Sequence, residues 1–184
     1  MVATTTNEDL FKRSKKFFEQ GDINNSLDSF EKAISSLDIA RGESQYVEFL
    51  NKILEHCRQK NLIEQEAITL RALGRIYSLF KKFVDSLNFH KDSLKIQRKL
   101  GRKLETAVGL TLMAEDLEAS QAYEESIKTF KSAAEIYHEL GKLAKEQDLQ
   151  KEIRRLEEFS KQVQTDEFYL NKVKIKGKRF RHLL

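Results

Sequence analysis

The chain has 184 residues, among them 53 Leu, Ile, Val and Phe taken together, seven glycines, one cysteine and neither proline nor tryptophan. That apolar share clears the roughly 20% below which a chain fails to fold, and the scarcity of turn residues excludes an all-β sandwich or barrel. Net charge is +4, yet six of the 33 basic and two of the 29 acidic residues lie from Thr165 onward, so the preceding body is formally neutral and lacks the basic surplus of a nucleic-acid-binding fold.

No apolar run approaches the ~18 residues of a membrane-spanning helix. Met1–Thr6 carries neither the basic start nor the apolar stretch of a secretory signal and is expected to be a flexible lead-in. A soluble, intracellular and most simply cytoplasmic protein is expected. From Asn7 onward apolar residues recur at about 3.6, the period of an amphipathic helix. They predict helices over 7–20, 23–41, 44–60, 62–81, 84–100, 103–120 and 122–140, with Thr6 and Asp9 as the opening cap of the first. An eighth helix, placed within a segment spanning 142–164, has sparser apolar positions among many charges, as suits the terminal cap of a repeat array. Beyond it, 165–184 forms a basic tail, where alternation over Val173–Lys176 predicts an extended strand.

The chain is self-similar at a step of 40 residues. Phe130–Gly141 lies over His90–Gly101, with Ile136, Leu140 and Gly141 matching Ile96, Leu100 and Gly101, and the same step back reaches Leu50–Asn61. Gly and Asn both accept the left-handed conformation that closes a helix. Upstream, Leu70, Leu73 and Gly74 lie over Leu110, Met113 and Ala114; downstream, Phe83 and Ser86 lie over Tyr123 and Ser126.

An aromatic or Leu, a small residue where two helices cross, a tight turn, then Ser, an aromatic and a small residue form a recurring pattern. It is carried by Leu10, Ser14, Phe17, Gly21, Ser26, Phe30 and Ala33; by Leu70, Gly74, Tyr77, Phe83, Ser86, His90 and Ser93; and by Leu110, Ala114, Leu117, Tyr123, Ser126, Phe130 and Ala133. His90 stands where Phe is usual. Over residues 7–141 this pattern resembles the tetratricopeptide repeat, in its long, 40-residue class. The resemblance implies an all-α solenoid of helical hairpins with a right-handed superhelix and a concave groove that receives a peptide or helix of a partner protein. The first match begins one and a half periods before the second, so either 23–41 serves in two pairs or an extra helix is inserted, with a phase change near Gly42.

The resemblance turns Phe11, Lys15 and Phe18 of the first helix, Ile68, Arg71, Arg75, Ser78 and Leu79 of the fourth, and Val108, Thr111, Glu115, Glu118 and Ala119 of the sixth toward that groove. Arg71 and Arg75 share a helix face and offer forks for partner carboxylates, unless Arg75 and Glu115, one repeat apart, neutralise each other. Phe11 occupies a position where the family's carboxylate clamp has Lys, which departs from recognition of a chaperone C-terminus.

Nothing in the sequence assembles an enzyme, a metal centre or a cofactor loop. His56, His90, His138 and His182 are widely spaced, and Cys57 is expected to be buried and inert. The remaining feature is the run Lys172, Lys174, Lys176, Lys178, Arg179 and Arg181. It supports an alternative role for the chain as a nucleic-acid or ribonucleoprotein accessory factor, through salt-sensitive phosphate contacts.

Overall fold

The computed structural model describes residues 7–34, 37 and 42–180, with 7–9, 164 and 166–180 described by their backbone alone. Eight α-helices follow in chain order among the described residues: α1 (Asn7–Glu19), α2 (Ile23–Ile34), α3 (Ser44–Gln59), α4 (Ile63–Leu79), α5 (Phe83–Lys99), α6 (Lys103–Ala119), α7 (Tyr123–Glu139) and α8 (Leu143–Phe180). α1 packs on α2, α3 on α4, and from α4 each helix packs on its successor through α8. The expected all-α array of hairpins is what forms. The first-helix cap at Thr6 and most of 35–41 lie outside the described residues.

The hairpins close with one turn chemistry. In each, a left-handed residue lets the next N–H reach back five residues: Leu62 N–H donates to Cys57 O at 2.8 Å, Arg102 to Gln97 O at 3.0 Å and Lys142 to Tyr137 O at 2.8 Å. Asn61, Gly101 and Gly141 supply the left-handed conformation where the sequence predicts it. Lys81 (φ +58°) and Gln121 (φ +67°) adopt it too, against the preference of a side chain bearing Cβ.

A second repeated feature ties the two helices of a hairpin. Ser86 Oγ stands 2.7 Å from Gly74 O and shares its single hydroxyl proton between that carbonyl and Asp116, and Ser126 Oγ donates to Ala114 O at 2.8 Å. Ser26 Oγ donates to Ser14 O at 2.9 Å, and all of these serines are fully buried. The small residue lets the axes approach, and the serine hydroxyl then bonds the exposed carbonyl of the facing helix.

These bonds also bear on the phase change. Through Ser26, α2 is the second helix of the first hairpin; yet it also lies beside α4, as α4 lies beside α6. Arg71 on α4 grips Glu31 on α2, forty residues earlier, and Gln65 Nε2 donates to Asn24 Oδ1 at 3.0 Å. α2 thus pairs with α1 and also stands beside α4 at the forty-residue step.

Two apolar clusters make the core. One runs from Phe11 through Phe30, Phe49 and Ile53 to Ile76, and the other from Leu94 through Leu110 and Phe130 to Leu156. Between them sits α5, whose buried face is Ser86, His90, Ser93, Leu94 and Gln97, mostly polar. Cys57 is fully buried in the first cluster, where desolvation raises its thiol pKa.

At the C-terminal end, Leu149, Ile153 and Leu156 of α8 cover the second cluster, as a cap should. The helix then continues to Phe180, so no break falls at 164–165 and Val173–Lys176 is helical, not a strand. Four alternating residues without a neighbouring strand have no ladder to join, whereas a helix satisfies its own backbone. Lys172, Lys174, Lys176, Lys178 and Arg179 fall on this helix with their side chains outside the described residues, and Arg181 lies outside them altogether. No helix, among the described residues, is long and apolar enough to cross a membrane.

Replacing Lys81 or Gln121 by Gly is expected to raise stability by about 1 kcal/mol each, since neither residue's native φ suits a side chain. Urea unfolding checks this; a loss of stability in both variants would mean that the side chains contribute more than the backbone strain costs.

Candidate functional site on the inner wall

α2, α4 and α6 lie side by side, and α8 reaches the same wall through Arg155. Charged residues cross-link neighbours along it. Arg71 binds Glu31 bidentately, with Nη2 at 2.8 and 3.0 Å from the two carboxylate oxygens and Nε at 3.1 Å. Their side chains are only 11% and 26% exposed, so the pair is a structural clamp between α2 and α4. Further along, Arg155 Nη2 holds Glu118 at 2.7 and 2.9 Å and joins α8 to α6.

Between these closed links lies an open one. Arg75 on α4 and Glu115 on α6 stand one repeat apart, but neither forms an ion pair or hydrogen bond within reach of another described residue. They flank a cavity of about 180 Å³, lined also by Ile34, Ser78, Leu79, His90, Leu112 and Asp116. Arg75 is half-buried, and that burial holds its guanidinium below its ordinary pKa; Glu31 and Glu115 oppose the shift and Arg71 adds to it. Glu115 is exposed by area, yet the wall crowds its carboxylate. Partial desolvation and then Asp116 raise its pKa, with Arg75 acting against them.

The cavity floor is a buried polar cluster. Asp116 is 2% exposed and accepts hydrogen bonds from Ser78 Oγ at 2.5 Å and from Ser86 Oγ. His90, 1% exposed, places Nε2 3.4 Å from the same carboxylate, while its Nδ1 has no hydrogen-bond partner among the described residues. The ring fits because Gly74 faces it: a Cβ on Gly74 would sit 2.6–2.9 Å from three ring atoms. Ser, His and Asp are the residue types of a hydrolytic triad, but both hydroxyls donate to Asp116 and neither bonds the imidazole. A nucleophile needs that base contact, which this arrangement lacks.

The remaining positions assigned to the groove divide clearly. Phe11 is buried, with its ring against Phe30, Tyr46 and Phe49, and Phe18 meets Phe49 and His56 edge-on. Phe11 belongs to the core, because α3 brings its own aromatics over that face of α1, whereas Phe18 is half-buried and lines, with Lys15 and Phe49, a hollow of about 360 Å³ between α1 and α3. Lys15 lies 4.3 Å over the Phe11 ring, and Ile68 packs against the first cluster. Thr111 Oγ1 donates to Ala107 O at 2.9 Å. Asp116 and Leu112 escape sequence reasoning. The available signal was His90, a polar ring in an aromatic's place that calls for a polar neighbour on the next helix.

A larger hollow of about 590 Å³ lies between α7 and α8, away from this wall. Most of its charges are matched, Lys131 to Glu157, Glu139 to Lys103 and His138 to Glu146, while Glu135 has no ion pair among the described residues.

No protein-family model matches the chain, and no curated protein matches it. Among solved structures, the apo form of RapI is similar with a TM-score of 0.53 at 15% identity, over 74% of this chain and 57% of RapI. The fold is that of a tetratricopeptide-like helical repeat. This chain thus spans little more than half the length of RapI. Other similar structures are the N-terminal domain of stress-induced protein-1 from C. elegans (TM-score 0.45, 12% identity, 82% of this chain and 94% of that one) and TPR-like repeats of a kinesin light chain from Podospora anserina (TM-score 0.45, 13% identity, 85% and 97%).

The two arginines of α4 are expected to separate on substitution. Arg71→Met strands Glu31 and should lower stability by about 1–3 kcal/mol, whereas Arg75→Met leaves no partner behind and should leave it unchanged or slightly raised. Equal losses in chemical denaturation would contradict the distinction. Gly74→Ala forces a methyl into the His90 ring and should cost about 1–3 kcal/mol, despite alanine's better helix propensity. Adding His90→Ala should remove most of that increment in a double-mutant cycle.

Proposed function

We propose that the chain is a non-enzymatic scaffold whose inner wall, along α4 and α6, receives a segment of a partner protein. One observation carries this reading: the links on either side are closed by arginine–carboxylate pairs, whereas Arg75 and Glu115 face a cavity without partners among the described residues. A half-buried guanidinium left without an anion forgoes stabilisation that a charge-assisted bond supplies, and a guest can supply that bond. The tetratricopeptide-like fold supports the reading, since stacked hairpins leave a continuous wall as their extended surface. Of the positions the sequence suggested, Arg75 and Glu115 are the anchors of this reading, while Arg71 and Glu118 are engaged with Glu31 and Arg155.

Affinity purification with the wild-type chain, Arg75→Glu, and Lys91→Glu on the exposed face of α5 tests the proposal. Partners recovered by the wild type should be lost with Arg75→Glu and retained with Lys91→Glu. Retention of every partner by Arg75→Glu, with helicity and melting unchanged, would remove the wall from the interaction.

A further inference from the structure

We propose that the cavity between Arg75 and Glu115 is a pocket for a side-chain carboxamide, an Asn or Gln of the partner segment; this rests on the wall-binding reading above.

The charges decide the chemical class. Arg71 is neutralised by Glu31, which leaves Arg75 on one side of the cavity and Glu115 and Asp116 on the other. A carboxylate guest reaching Arg75 meets two acids across the opening. An ammonium or guanidinium guest reaching Glu115 meets Arg75. A carboxamide carries no net charge and offers both complements on one planar group. Its carbonyl accepts from the Arg75 guanidinium, and its NH2 donates to the Glu115 carboxylate.

The other lining residues fit the same guest. Ile34, Leu79 and Leu112 surround the cavity with apolar surface suited to a methylene stem. The floor is polar but closed: Asp116 already accepts from Ser78 and Ser86, so it offers a guest little beyond its field. At about 180 Å³ the cavity has the volume of about six waters, enough for an amide and its stem. Each unpaired group is also held in its less favourable state, Arg75 by burial and Glu115 by desolvation and Asp116. A neutral dipolar guest relieves both without adding charge to the wall.

Main-chain amides share this chemistry, so the test must separate the two sources. The full chain is used to select from a random dodecapeptide library displayed on phage, and enriched peptides are synthesised for affinity measurement. The expected outcome is a fixed position occupied by Gln or Asn. Replacing that residue by Met or Glu should weaken binding about tenfold or more. Arg75→Met and Glu115→Leu should each weaken the parent peptide by a similar factor while keeping wild-type helicity and melting temperature. In both variants the Gln-to-Met change in the peptide should then matter little.

Peptides that depend on Arg75 and Glu115 yet lose nothing when the amide residue is changed to Ala would assign the pocket to main-chain amides and overturn the side-chain assignment. A fixed Asp, Glu, Lys or Arg in place of the amide, or enrichment indifferent to both variants, would overturn the pocket while leaving wall binding intact. A library from which nothing is enriched overturns both.

Discussion

A carboxylate withdrawn from water must be given its hydrogen bonds by the protein, and Asp116 draws them from two neighbouring helices. Ser78 comes from α4, and Ser86 and His90 from α5, while Asp116 itself belongs to α6. Three helices are thereby fixed around two oxygens. The demand spreads outward: His90 reaches the carboxylate only because Gly74 lacks a side chain, and Ser86 bonds both Asp116 and the Gly74 carbonyl. The next hairpin meets the same geometric problem with Ala114 and the fully buried Phe130, an apolar solution. A polar seam holds α5 in a register that satisfies the acid, and removing a single hydroxyl leaves a buried acceptor short of a hydrogen bond, typically at a cost of about 1–3 kcal/mol.

The wall beside this seam carries charges that are paired across helices and charges that are not. Arg71–Glu31 fixes α2 against α4, because a bidentate fork sets both distance and orientation, and Arg155 ties α8 to α6 by binding Glu118 through one nitrogen. With the spacing fixed on both sides, Arg75 and Glu115 are held apart instead of collapsing onto each other. A cavity persists where flexible residues would otherwise close it. Preorganisation of this kind reduces the ordering cost of taking up a guest.

Most of the architecture was legible in the sequence because local chemistry repeats. Asn61, Gly101 and Gly141 mark the turns, and Ser14, Gly74 and Ala114 mark the crossings, each paired with a serine twelve residues on. The wall was less legible, since a side chain's exposure depends on what the neighbouring helix brings. Phe11 occupies a groove position by analogy, but Tyr46 and Phe49 of α3 cover it. Arg71 and Arg75 look equivalent on one helix face. Only the forty-residue step back to Glu31 separates them, and that step was visible as spacing but not as a contact. Asp116 was hidden for a related reason: an acid among helix charges reads as solvated until the partner hydroxyls are placed.

The division of the core at α5 has a mechanical consequence. Apolar surfaces in contact can slide past one another with little change in energy, because dispersion is non-directional and shared among many atoms. Hydrogen bonds weaken steeply with angle and distance. The two greasy blocks can therefore yield within themselves more readily than the seam at α5, where Ser86 must keep its short distances to Gly74 and Asp116.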